Sequence, residues 1–227
     1  MNFAIIVAAG KGSRFSPDRP KQFVEILGKP LVIHTLERFE ACPDVDEIVL
    51  VLSDDGRTEF GSIDPGSDLS KLKAIVTGGE TRAESVRNGL AAIGGSQDDV
   101  IAVHDGARPL VTVDEISATI TKAKEIGAAC LVAAVSDTIK TIRGGEIADT
   151  LDRDRLRRAL TPQAFRADVL RRAFEASEFV NEATDECYLV EKLGHPIVLV
   201  EGSSQNIKIT RPEDVIFAEA ILNLRSE

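Results

Sequence analysis

Phe3-Ala4-Ile5-Ile6-Val7-Ala8-Ala9 is a near-continuous apolar run in which no polar residue marks a side facing water. A strand that reads this way is buried on both faces, as in a parallel sheet covered by helices. Working outward, residues 47–53 (EIVLVLS), 100–104 (VIAVH) and 128–135 (AACLVAAV) repeat the pattern. Between them, residues 31–41, 81–93 and 113–126 carry apolar side chains near a 3.6-residue spacing with polar ones opposite. Strands alternating with helices predict an α/β fold with a doubly wound, mostly parallel, Rossmann-like sheet. Such sheets bind ligands beyond the carboxyl ends of their strands, so chemistry is expected in the loops after Ala9, Ser53 and His104.

The pattern changes after Asp137. Residues 138–142, a Gly144-Gly145 turn and residues 146–151 alternate as a β-hairpin. This predicts a projecting arm, inserted at about residues 137–158 and suited to dimerisation. Helical patterns return at 166–176 and 186–193, strands are expected at 197–200 and 206–209, and a helix closes the chain at 212–224. Pro212, Glu213 and Asp214 suit that helix's first turn. With 227 residues, no internal repeat and no linker, the chain is expected to form a single domain over residues 1–227.

A net charge of -10 and a pI near 4.9 disfavour nucleic acid and anionic membranes as partners. One Tyr and no Trp leave few residues for base stacking. Cys42, Cys130 and Cys187 are odd in number and widely spaced, so neither a disulfide framework nor a zinc site is expected, and a reducing cytoplasm fits. No window approaches ~18 consecutive apolar residues, and Met1 leads into the first strand without a basic leader. The expectation is a chain neither exported nor membrane-spanning, with no room for a second enzyme after the closing helix.

After the first strand come Gly10-Lys11-Gly12-Ser13-Arg14 and then Pro20-Lys21-Gln22. Small residues let backbone N–H groups approach a phosphate chain, and Arg14 and Lys21 can neutralise it. The third glycine of a Rossmann fingerprint is replaced by Phe15, and no Walker A spacing is present. The loop is therefore a phosphate cradle of another kind, or a plain glycine-rich turn. Asp105, at the predicted ligand edge, can hold Mg²⁺ against an α-phosphate, with Arg108 taking a second anion; a structural Asp–Arg ion pair is the alternative. His104 reads as a core histidine.

Gly78-Gly79-Glu80-Thr81-Arg82-Ala83-Glu84-Ser85 opens a helix as a turn and N-cap, and Ser85 could also hydrogen-bond a base or ribose. Four later motifs each set a hydroxyl or a cation near an element end: Asp137-Thr138-Ile139-Lys140, Leu160-Thr161-Pro162-Gln163, Thr184-Asp185-Glu186 and Asn206-Ile207-Lys208-Ile209-Thr210. Those groups serve turns and caps, or bind a sugar-alcohol phosphate. Arg153, Arg155, Arg157 and Arg158 read mostly as a solvated basic face.

The A-A-G-x-G-x-R…P-K-Q signature resembles that of the sugar-phosphate nucleotidyltransferases. H-D-G-A-R-P combined with G-G-x-x-R-x-x-S, and the later motifs in this order, are similar to the cytidylyltransferase family of the non-mevalonate isoprenoid pathway, over residues 2–222. The resemblance implies transfer of CMP from CTP to 2-C-methyl-D-erythritol 4-phosphate, giving 4-diphosphocytidyl-2-C-methyl-D-erythritol and pyrophosphate. It also implies Mg²⁺ and a cytoplasmic homodimer joined through the arm.

The same resemblance assigns nucleotide binding to Ala8, Ala9, Gly10, Gly12, Gly79, Glu80 and Ser85. It assigns catalysis to Arg14, Lys21, Lys208 and Asp105, the last near the metal. Arg108, Thr138 and Thr184 would bind the acceptor, with Arg153 and Thr161 reaching it across the dimer interface. Two positions depart from the pattern: Gly106 stands where Ala is usual, and Gln205 where an acidic residue is frequent. D-ribitol-5-phosphate cytidylyltransferase shares fold, nucleotide and reaction and differs in the acceptor. A non-catalytic nucleotide-binding regulator is a third reading, opposed by the intact Arg14, Lys21, Asp105 and Lys208.

Overall fold

Alternate residues of the first strand, β1 (Asn2–Val7), feed two separate cores. Ala4 and Ile6 pack on one face of the sheet, Phe3 and Ile5 on the other. All four are at most 4% exposed, which is why the run shows no polar alternation. The computed structural model describes residues 1–10, 15, 20–66, 68–176 and 183–226; Gly12 and Arg14 lie outside the described residues.

After β1 come a two-stranded ribbon of β2 (Glu25–Ile26) and β3 (Lys29–Pro30), helix α1 (Leu31–Glu40), β4 (Glu47–Leu52), α2 (Asp54–Gly61), β5 (Leu72–Thr77) and α3 (Arg82–Ala91). Next are β6 (Val100–Asp105), α4 (Val113–Ile126), β7 (Ala128–Ala134), the hairpin β8 (Lys140–Arg143) and β9 (Glu146–Thr150), and β10 (Arg157–Arg166). The chain closes with α5 (Ala167–Ala176), α6 (Glu186–Lys192), β11 (Val198–Glu201) and α7 (Glu213–Ser226).

The seven-stranded sheet runs β11-β7-β10-β6-β1-β4-β5. β10 is antiparallel to both neighbours, and the other pairings are parallel. Helices α1 and α4 cover the Ala4/Ile6 face, and α3, α5 and α6 cover the Phe3/Ile5 face. Helices α3 and α4 each begin with a capping box, Thr81 with Glu84 and Thr112 with Glu115, and α4 stops at Gly127 in the left-handed region (φ 102°).

Four segments differ from the expectation. Residues 157–166 form a central strand where an arginine-rich face and a helix start were expected. Pro162 cannot donate to a ladder, and the pairing of β10 with β7 is interrupted between Ala159 and Gln163, where it sits. Edge strand β5 and helix α2 were not anticipated at all. Residues 206–209 are an irregular loop instead of a strand, held by Ile209 N–H on the Ala107 carbonyl (2.8 Å) and by Asn206 Nδ2 on the Thr161 carbonyl (3.0 Å). The hairpin forms as expected, with Gly144 and Gly145 both at positive φ (61° and 87°), as a tight turn of this hand requires.

Candidate active site

At the carboxyl ends of β1, β4, β5 and β6 a cleft of about 830 Å³ opens. Ala8, Ala9, Gly10, Lys21, Gly79, Glu80, Ser85, Asp105 and Lys208 all line it. Its floor is built by close approach. A Cβ placed on Gly78 would fall 2.4 Å from the Ala9 Cβ, and one on Gly106 would fall 2.8 Å from the Ala8 Cβ. Glycine at 78 and 106 lets the three strand ends converge this tightly, bringing backbone within reach of a bound phosphate chain.

Asp105 is the electrostatic centre. Arg82 Nε contacts its Oδ1 at 3.0 Å, while Lys208 Nζ at 2.9 Å and Arg108 Nε at 3.4 Å share Oδ2. Burial works against ionisation of Asp105, but Arg82, Lys208 and Arg108 outweigh it and hold the carboxyl far below the usual carboxylate range. Arg108 is anchored further by its NH1 on the Asn206 carbonyl (2.8 Å). Lys21 Nζ donates to the Ile209 carbonyl at 3.0 Å, so one loop carries both Lys208 and the brace for Lys21.

Beneath Asp105 lies His104, fully buried. Burial pushes its imidazole down to about 3, so the ring is neutral at physiological pH. The Arg108 carbonyl can only accept, so Nε2 carries the proton and donates to it at 3.1 Å. Nδ1 then accepts from the Thr161 hydroxyl (3.0 Å), whose oxygen receives the Asp105 N–H (3.1 Å). A closed hydrogen-bond chain thus fixes the turn from Asp105 to Arg108, and His104 is no candidate general base.

Cationic groups around a glycine-lined cleft suit phosphoryl transfer by placement and charge neutralisation. Residues 2–224 match the family described as 2-C-methyl-D-erythritol 4-phosphate cytidylyltransferase (IspD). The chain belongs to that family. The cytidylyltransferase of that name from Geobacillus kaustophilus is 41% identical, covering 99% of either chain. The one from Alkaliphilus oremlandii is 43% identical, covering 98% of this chain and 95% of its own. A crystal structure of 4-diphosphocytidyl-2C-methyl-D-erythritol synthase from Anaerococcus prevotii superposes with a TM-score of 0.84 at 31% identity, over 98% of this chain and 96% of that one.

Four residues expected to bind the acceptor lie outside the lining of this chain's own cleft. Thr161 is only 4% exposed, behind Asp105 in its own chain, with its hydroxyl committed as described. Thr138 and Arg153 lie on the exposed arm, where Arg153 NH1 donates to the Ser136 carbonyl at 2.8 Å. Thr184 is exposed just before α6, whose N-cap is Asp185. None of these four lines the cleft. The Ser85 hydroxyl donates to the Thr81 carbonyl (2.9 Å) and accepts the Gly79 N–H (3.1 Å), so it holds the cleft wall. Gln205 takes Arg225 NH2 on its Oε1 (3.0 Å), which turns it towards α7.

Two residues with evident work were missed from sequence, Arg82 and Glu186. Arg82 sits in the G-G-x-x-R-x-x-S signature, where the cap chemistry around it masks its role. Asp105 is the carboxylate in this cleft that a divalent ion would meet; its Oδ1 faces Arg82 and its Oδ2 faces Lys208 and Arg108. Among the described residues no group of three or more His, Cys, Asp or Glu could hold a metal.

Proposed function

We propose that the cleft joins CTP to 2-C-methyl-D-erythritol 4-phosphate, giving 4-diphosphocytidyl-2-C-methyl-D-erythritol and pyrophosphate. Family membership supplies the substrates, and the observation that carries the mechanism is Asp105 held among Arg82, Arg108 and Lys208 at the cleft floor. An oxygen of the acceptor phosphate attacks the α-phosphorus of CTP, the new P–O bond forms, and the bond to the β-phosphate breaks with pyrophosphate taking its electrons. The nucleophile is already ionised, so no general base is required. Lys21 and Lys208 neutralise charge on the α-phosphate and the departing pyrophosphate, with Arg14 assigned the same task by the family signature.

Asp105 would hold Mg²⁺ when the ion is bound, and the ion would supply further charge neutralisation at the phosphates. The chain works as a homodimer through the arm: Ile142 and Ile147 are 71% and 68% exposed on the hairpin, an apolar pair that a second copy would cover. A cytoplasmic location is supported by three widely spaced cysteines, and among the described residues no helix is long and apolar enough to cross a membrane. Mass spectrometry of the reaction with CTP and methylerythritol phosphate tests the chemistry. A product holding both CMP and the polyol phosphate supports the reading; unchanged substrates contradict it.

A further inference from the structure

Arg82 bridges two carboxylates, one in the cleft and one buried behind it. Its Nε meets Asp105 Oδ1 at 3.0 Å and its NH1 meets Glu186 Oε1 at 2.7 Å. Glu186 is 1% exposed and lies outside the cleft lining. Both ends of the bridge are rigidly mounted. Arg82 is the first residue of α3, fixed by the Thr81–Glu84 capping box. Glu186 opens α6, which is tied to β10 through Gln163: Nε2 donates to Asp185 Oδ2 (2.9 Å) and Oε1 accepts the Cys187 N–H (3.0 Å).

The two oxygens of Asp105 therefore have separate duties. Oδ1 takes Arg82, whereas Oδ2 is left to Lys208 and Arg108. A guanidinium is a planar fork that closes on both oxygens of a carboxylate when free to turn. Glu186 prevents that rotation by holding the other arm of the fork.

We infer that Glu186 is a positioning residue for the transfer: by anchoring Arg82 on one oxygen of Asp105, it reserves the other for Lys208 and Arg108, the cations set beside the reacting phosphates. The inference rests on the proposed reaction. Without Glu186, Arg82 closes on both oxygens of Asp105, and Lys208 and Arg108 are displaced. Displacements of about 1 Å in a reacting assembly cost up to about 100-fold in rate.

The test is Glu186→Gln in the full chain, which keeps the side-chain shape and removes the charge. CTP affinity by calorimetry is expected within about twofold of wild type, and kcat/KM for the acceptor is expected to fall about tenfold or more. In an Asp105→Asn background the same substitution should add little, because the oxygen being contested has lost its charge. Wild-type acceptor kinetics in Glu186→Gln, or an equal loss in the Asp105→Asn background, overturns the inference. If Glu186→Gln does not fold, Glu186→Asp keeps the charge on a shorter stem, and the same acceptor-specific loss is expected; wild-type kinetics there overturns it equally. A wild-type chain silent with the acceptor would contradict the proposed reaction instead. The comparison then runs on binding of inorganic phosphate to the CTP-loaded protein, where weaker binding in the variant supports the role of Glu186 and equal binding overturns it.

Discussion

The Thr161 hydroxyl stands 3.0 Å from His104 Nδ1 and receives the Asp105 N–H at 3.1 Å, so one side-chain oxygen joins a central strand to the floor of the cleft. Thr161→Val keeps the shape and removes both bonds. A buried N–H and an imidazole nitrogen are then orphaned, at a cost of about 2 kcal/mol in stability. Denaturant unfolding checks this, with Thr161→Ser expected to recover most of the loss.

His104 makes stability depend on pH. Its folded value, about 3, lies below the unfolded value near 6.5, so on acidification the unfolded chain takes up a proton that the folded chain refuses. Stability from this group is complete above pH ~6.5 and is lost progressively towards pH ~3, at about 1.4 kcal/mol per unit. Comparing urea unfolding at pH 6.5 and 5.0 in wild type and His104→Gln checks it. The variant should lack a loss of about 2 kcal/mol that wild type shows over that interval.

Lys21 and Lys208 face the cleft on one shared loop scaffold. Replacing either by Ala should lower kcat by about 100-fold or more, the cost of one preorganised donor, with circular dichroism unchanged. Near-normal turnover in Lys21→Ala would remove it from the charge-neutralising role.

Gly106→Ala puts a methyl group 2.8 Å from the Ala8 Cβ, an atom with no rotamer by which to escape. Ala8 must then shift, and a displacement worth about 1 kcal/mol would weaken CTP binding about fivefold. Calorimetry with CTP reads this directly. The double variant with Ala8→Gly should recover affinity, whereas an unaffected single variant would show that the floor yields freely.

Much of this was legible in the sequence wherever burial on two faces writes a plain signal, as in β1, β4, β6 and β7. Strand β10 was hidden because Pro162 is rare inside strands and Arg157 and Arg158 at its start read as a solvated face, and its place is set by long-range pairing to Val103 and Cys130. The positions of Asp105, Lys21 and Lys208 followed from motifs at strand and loop ends. Thr161 did not, because a hydroxyl that serves a core chain and one that meets a substrate look alike in sequence. Glu186 read as a helix-start acid, and only the distance to Arg82 gives it a different role. Gly106 was visible as a departure, but its meaning needed the position of Ala8.

Pyrophosphate release from CTP with Mg²⁺, measured with methylerythritol phosphate and ribitol 5-phosphate side by side, is the most direct test of the proposed reaction. Release with CTP and methylerythritol phosphate, and not with ribitol phosphate or with ATP, GTP or UTP, is the expected result. Preference for ribitol phosphate, or silence with both acceptors, would contradict it.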